Sequence, residues 1–187
     1  MNNEQGVWII SGVPAAGKTT TAKSLAKTFD KAAVINRDDL QAQVISGSVW
    51  PAGKPTSEAN LQIEMNVRNQ CALANSYLSS GFTPVCEDVV SRDQLEIYQD
   101  LLDSKNIYLI TLNPPYEVVI ERDKYRKTQE QFNNPERCKL LYEFIKTACD
   151  YGLWFDNSQM TVGQSVKHIL DNKDTALLAR LGGMANA

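Results

Sequence analysis

Val7-Trp8-Ile9-Ile10-Ser11-Gly12-Val13-Pro14-Ala15-Ala16-Gly17-Lys18-Thr19-Thr20-Thr21 decides the fold of this chain. The apolar run at its start reads as a buried parallel strand. A loop of small residues bounded by Gly12 and Gly17 follows. Lys18 and the threonines then open a helical pattern with Ala22, Leu25, Ala26 and Phe29 on one face. The loop spells Gly-x-x-x-x-Gly-Lys-Thr, a phosphate-binding signature in its required strand–loop–helix setting.

The spacing has a chemical reason. Gly12 and Gly17 can take backbone conformations that a side chain would block. Ala15, Ala16 and their small neighbours let successive N–H groups, through Thr20, converge on phosphate oxygens at a helix N-terminus. Lys18 is placed to reach the β- and γ-phosphates of a nucleotide, and Thr19 to ligate Mg²⁺.

With 187 residues, the chain is long enough for one α/β domain with a substantial core, read here as a single domain over 1–187. Hydrophobic residues make up 43% and charged residues 22%, ordinary values for a globular protein. The net charge of −3 comes without a Lys/Arg block, so nucleic acid is not the favoured partner. No apolar run approaches a membrane span, and Met1–Gly6 has no signal-peptide character, so a cytoplasmic protein is expected. Cys71, Cys86, Cys138 and Cys149 form no Cys-x-x-Cys pair and read as buried small hydrophobes. His168 is the only histidine, which removes His-based triads and multi-His metal sites. Composition leaves oligomeric state open.

Strands and helices then alternate along the chain. Ala32–Asn36 reads as a second strand, and Arg37-Asp38-Asp39 opens a short helix that includes Val44 and Ile45. Asp38 can be the base that accepts a proton from an attacking hydroxyl; equally, Asp38 or Asp39 can simply cap the helix. Trp50 lies in a loop over 46–56, as a candidate pocket wall or a packed side chain. A helix over Ser57–Ser79 carries Arg68, a candidate contact for an anionic substrate or a solvated charge. The third strand, Phe82–Cys86, ends in Glu87-Asp88, placed to orient Mg²⁺ or a substrate hydroxyl, or else to serve as structural hydrogen-bonding groups. Ser91 caps the next helix, Asn106–Leu112 is the fourth strand, and Pro115 begins another helix. Arg122 and Arg126 share that helix's face and suit a lid that closes over a transferring phosphoryl group, with about 122–135 as the lid. A helix through Cys138, Leu141, Ile145 and Ala148 precedes a short fifth strand, Gly152–Asp156. Thr161 caps the following helix, Ala176–Leu181 adds a final helical turn, and 182–187 reads as a frayed tail.

The chain resembles the small P-loop kinases of the group that includes chloramphenicol phosphotransferase, zeta toxins and the kinase domain of phage polynucleotide kinase. The likeness spans roughly residues 6–171. It rests on the phosphate-binding loop, on Ile35-Asn36-Arg37-Asp38-Asp39, on Cys86-Glu87-Asp88-Val89-Val90, on Arg122-Asp123 with Arg126, and on Gly152-Leu153-Trp154-Phe155-Asp156-Asn157-Ser158. It implies a three-layer α/β fold, with a five-stranded parallel sheet of order 2-3-1-4-5 and a small helical lid. It implies Asp38 as general base, Arg122 and Arg126 as lid arginines, and Asn157 and Ser158 near adenine. The activity expected is ATP- and Mg²⁺-dependent phosphorylation of a hydroxyl on a small molecule. Two departures stand out. Polynucleotide kinases carry Asp-Asp-x-Arg after strand two, where this chain has Asp38-Asp39-Leu40-Gln41. Chloramphenicol phosphotransferase has an aspartate pair where this chain has Glu87-Asp88. The rival expectations are a 5′-hydroxyl polynucleotide kinase, a partner-regulated nucleotide-binding ATPase, and a toxin-like kinase of a cell-wall sugar nucleotide.

Overall fold

The computed structural model describes residues 6–51, 56–125 and 135–178. In chain order the elements are β1 (Val7–Gly12), α1 (Lys18–Ala26), β2 (Ala32–Asn36), α2 (Arg37–Ala42), α3 (Ser57–Ser79), β3 (Thr83–Glu87) and α4 (Arg92–Leu101). They continue with β4 (Ile107–Leu112), α5 (Tyr116–Lys124), α6 (Pro135–Lys146), β5 (Leu153–Phe155), α7 (Val162–Asp171) and α8 (Lys173–Ala176). The five strands pair in parallel in the order β2-β3-β1-β4-β5, as the family likeness implied.

Alternation along the two central strands builds a core on each face of the sheet. On β1 and β4, Trp8, Ile10, Tyr108, Ile110 and Leu112 face α1, α5, α6 and α7. Val7, Ile9, Ile107 and Leu109 face α2, α3 and α4 on the other side. Both strands are buried throughout, which is why they read as unbroken apolar runs. Trp8 and Tyr108 are paired in register and stack at 4.2 Å, tying β1 to β4 on the α1 side. Several helices start where side chains satisfy free amides. Ser91 with Gln94, and Thr161 with Gln164, form capping boxes on α4 and α7.

Several boundaries depart from expectation for local reasons. β3 begins at Thr83 because the amide of Phe82 still bonds back to Tyr77 at the end of α3. Glu87, placed beyond the strand by its polarity, is its last residue and pairs with both Ile10 and Asn36. β4 starts at Ile107, β5 covers Leu153–Phe155, and Pro115 is the cap of α5 rather than its first residue. α2 stops at Ala42, which leaves Val44 and a 91% exposed Ile45 outside it. The turn expected from Ala176 is extended at residues 177–178, because Leu178 bonds Ile107 and buries its side chain under the sheet. Residues 179–187, with the expected tail, lie outside the described residues. Cys71, Cys86 and Cys138 are buried as expected, whereas Cys149 is exposed.

The turn into β5 is tight. Gly152 has φ +74, and a Cβ there would sit 2.4 Å from the Leu109 carbonyl oxygen. Gly152→Ala combines left-handed strain with overpacking and should destabilise the fold by roughly 2–4 kcal/mol. Urea unfolding checks this, and an unchanged midpoint would mean that β5 does not approach β4 so closely.

Candidate active site

The chemistry-bearing residues gather at the C-terminal ends of β1, β2 and β3, the edge where open parallel sheets bind ligands. The loop after β1 is a concave cradle. Gly12, Ala15 and Gly17 all have positive φ, at 142°, 64° and 103°. Ala15 is the one non-glycine residue in that region among the described residues, a local strain that suits a ligand-holding loop. The first bond of α1 runs from the Thr21 amide to the Gly17 carbonyl at 3.0 Å. The amides of Lys18, Thr19 and Thr20 therefore head the helix with no place in its ladder, a ready anion site.

Glu87 is the hub of the site. Its Oε1 accepts from the Thr19 hydroxyl at 2.6 Å, and its Oε2 accepts from the Asn36 amide at 2.8 Å. The other end of Asn36 accepts from the Asp38 backbone N–H at 2.7 Å and caps α2. The helix cap is thus Asn36, and the Asp38 carboxyl is not needed for it. Asp38 is 56% exposed, with Arg37 3.5 Å away. Arg37 also ion-pairs with the fully buried Asp88 at 2.5 Å. Behind them, Gln70 donates to the carbonyls of Ile35 and Glu87, and Tyr98 hydrogen-bonds to both Gln70 and Asp88. This buried network from α3 and α4 locks the ends of β2 and β3 together.

Burial dominates the electrostatics. It lowers the Lys18 pKa, against the opposing pull of Glu87, Asp38 and Asp88. It raises Glu87, with Lys18 and the Thr19 hydrogen bond pulling back, and raises Asp88 against Arg37. Both carboxyls are therefore harder to ionise than free ones, because burial penalises their charged forms. The described residues hold no cluster of three or more His, Cys, Asp or Glu in ligating geometry. The Thr19 hydroxyl beside Glu87 nevertheless fits Mg²⁺, a hard ion usually held by one or two protein oxygens, water and substrate phosphates.

On the other side of the loop, Asn157 and Arg122 converge on one carbonyl. Asn157 donates to Ala16 at 2.9 Å, and Arg122 donates to Ala16 at 3.2 Å and to the carbonyls of Asn157 and Ser158. Asn157 is buried behind the loop, not on the cavity wall, and its Oδ1 has no hydrogen-bond partner among the described residues.

A cavity of about 970 Å³ brings these parts together. Gly17, Lys18, Thr19 and Thr20 line it with Asp38, Asp39, Glu87, Asp88 and Arg122. The volume lies at the upper end for small-molecule sites.

The family described as AAA domain matches residues 7–140, a stretch that holds the loop, Asp38, Glu87 and Arg122. The chain belongs to the AAA domain family. It is thereby a member of the P-loop NTPase superfamily. No curated protein matches the sequence. Among solved structures, a sugar kinase from Janibacter sp. HTCC2649 superposes with TM-score 0.66 at 17% identity, covering 92% of this chain and 95% of that one. A gluconokinase from Sinorhizobium meliloti 1021 gives 0.62 at 16% identity, covering 91% and 93%. A chain of an RNA repair complex gives 0.58 at 15% identity, covering all of this chain and 53% of its own length. At these identities the likeness is one of fold.

Two expected participants of this AAA domain stand apart. Arg68 is not on the cavity wall; it forms a two-nitrogen contact with Glu64 on the exposed side of α3, at 3.0 and 2.7 Å. Arg126, with most of the expected lid, lies outside the described residues. Four residues that sequence reasoning did not single out are Asn36, Gln70, Arg37 and Arg137. Asn36 and Arg37 sit inside a quoted motif, but their partners are Glu87 at the end of β3 and Asp88 just after it. Arg137, on α6, lines the cavity and donates to the Pro51 carbonyl at 2.8 Å.

Glu87 provides a pH test. Its folded pKa is raised, so the stability tied to its protonated form is full below the ordinary value of 4.5. That stability is lost as pH rises through the higher folded value. Glu87→Gln removes this loss. Denaturation of the unliganded protein from acid to neutral pH should show the variant gaining on wild type as pH rises. A pH-independent difference would mean that burial does not strain the ionised form.

Proposed function

We propose that this AAA domain is an ATP- and Mg²⁺-dependent kinase acting on a hydroxyl group of a small molecule. The observation that carries the reading is the meeting of three parts in one cavity. These are a phosphate cradle with Lys18, the Thr19–Glu87 pair, and a solvent-facing Asp38 that is relieved of any capping duty. Two of the neighbours of similar fold are named as small-molecule kinases, which supports the same class.

In this reading the loop amides and Lys18 bind the β- and γ-phosphates. Thr19, oriented by Glu87, holds Mg²⁺, which neutralises phosphate charge when bound. Asp38 takes the proton of the acceptor hydroxyl as its oxygen bonds to the γ-phosphorus. The bond from that phosphorus to the β–γ bridging oxygen breaks, and its electron pair leaves with ADP. Arg122 neutralises charge on the transferring group, joined by Arg126 in the lid. Asn157 and Ser158 brace the phosphate loop from behind, accepting from Arg122 at their carbonyls while the Asn157 amide holds the Ala16 carbonyl; the Asn157 Oδ1 is buried away from the cavity.

The test is transfer from γ-labelled ATP, run side by side on a small-metabolite extract and a 5′-hydroxyl oligonucleotide. Label on a small molecule supports the reading. Label on the oligonucleotide moves the assignment to polynucleotide phosphorylation. Label on neither, with ATP still bound, moves it to a partner-regulated ATPase.

A further inference from the structure

The walls of the cavity beyond the phosphates and Asp38 have a distinct chemistry. Three exposed large apolar side chains line this one cavity: Trp50 at 38%, Leu140 at 51% and Phe144 at 36%. They come from the segment before α3 and from α6. Ile63 of α3 and Ile97 of α4 add two partly buried apolar walls. Leu140 and Phe144 are four apart on α6, and Arg137 precedes them by one turn, so one stripe of that helix faces the cavity.

The charges on these walls are the second observation. Among the described residues, α4 contributes Asp93 and α2 contributes Asp39, while Glu64 of α3 also lines the cavity but has its charge offset by Arg68. The described cations of the cavity are already engaged. Lys18 lies in the phosphate cradle, and Arg122 is bonded to the carbonyls behind that cradle. Arg37 is paired with Asp88 and Asp38, and Arg137 donates to Pro51. Arg68, the arginine with the best sequence claim on an anionic acceptor, is on the outer side of α3 with Glu64. Among the described residues, an anionic acceptor entering beside the phosphates of ATP would face Asp39 and Asp93.

We propose that the acceptor is an alcohol with an apolar, ring-sized body and no phosphate or carboxylate group. It seats against Trp50, Ile63, Ile97, Leu140 and Phe144 with its hydroxyl at Asp38. An uncharged or cationic polar group on it meets Asp93 and Asp39. This inference names the substrate class of the kinase reading and rests on it for the role of Asp38. The preference of the walls can be measured without turnover.

The probes are phenylethanediol, phenylethanolamine and mandelate, which share a ring and a hydroxyl and differ in charge, with gluconate as an anionic acceptor lacking a ring. Binding to the full chain is followed by tryptophan fluorescence, with Trp50→Phe identifying the Trp50 signal, and by calorimetry. The neutral and cationic phenyl alcohols should bind saturably, at least about tenfold more tightly than mandelate or gluconate. Phe144→Ala and Leu140→Ser alter exposed helix positions and should weaken both phenyl alcohols by roughly tenfold or more each. Tighter binding of mandelate or gluconate overturns the inference. So does failure of both phenyl alcohols to bind, or affinities untouched by the two α6 substitutions. Binding without γ-phosphoryl transfer to any alcohol would remove the kinase reading and leave the wall preference standing. Transfer to gluconate without binding of the phenyl alcohols would do the reverse.

Discussion

Lys18→Ala should lower phosphoryl transfer by roughly 10²–10³-fold, the loss seen when one preorganised electrostatic donor to a transition state is removed. The ammonium is buried at the floor of the loop, 3.4 Å from the Val13 carbonyl oxygen, with Glu87, Asp38 and Asp88 around it. Its burial lowers its pKa but leaves it next to three carboxylates that favour the charged form. In this dry setting a phosphate oxygen gains far more from the ammonium than it would in water. The substitution also removes the main charge that offsets burial of Glu87, so that carboxyl should protonate more readily. Lys18→Met, which keeps the volume, separates lost charge from lost packing. The measurement is turnover with labelled ATP beside a denaturation curve for each variant. Wild-type turnover in a folded Lys18→Ala protein would remove the loop from the catalytic account.

Asp38→Asn should reduce transfer by roughly 10²–10⁴-fold, the usual contribution of a positioned general base, while leaving ATP affinity nearly unchanged. The structure makes this a clean experiment. Asn36, not Asp38, caps α2, and the Asp38 side chain is 56% exposed with, among the described residues, an ion pair to Arg37. Asn keeps the size of the side chain and leaves the Arg37–Asp88 pair in place, so the variant should fold normally. ATP binding by calorimetry and transfer by label give the two readouts. Equal losses in both would assign Asp38 a structural part in holding Arg37 against Asp88.

The two residues differ in how far sequence could take them. Lys18 is defined by its neighbours in the chain, since the glycines, the small loop residues and the helix start all act locally. Asp38 was legible as a carboxylate beyond a strand, but base and cap could not be told apart. What separates them is the Asn36 side chain, whose amide is held by a glutamate 51 residues away. Arg68 shows the opposite outcome. Its position near an apolar stripe suggested a substrate contact, and one turn of α3 puts Glu64 within reach to hold it on the outer side. The exposed Cys149 and the early end of α2 belong with it, because a helical apolar pattern does not say where tertiary contacts stop supporting the helix.

By itself the sequence determined the parallel α/β alternation, the phosphate cradle, and helix starts such as Ser91 and Thr161. Each depends on periodicity or on bonds between residues a few positions apart. Only the tertiary structure decided that Glu87 orients Thr19 across 68 residues, and that Asn157 holds the Ala16 carbonyl across 141. It also decided that α6 lends an apolar wall and an arginine to the cavity. Those contacts follow from strand order. Placing β3 between β2 and β1 brings the strand ends together at one edge, and no local pattern in the chain encodes which distant side chains meet there.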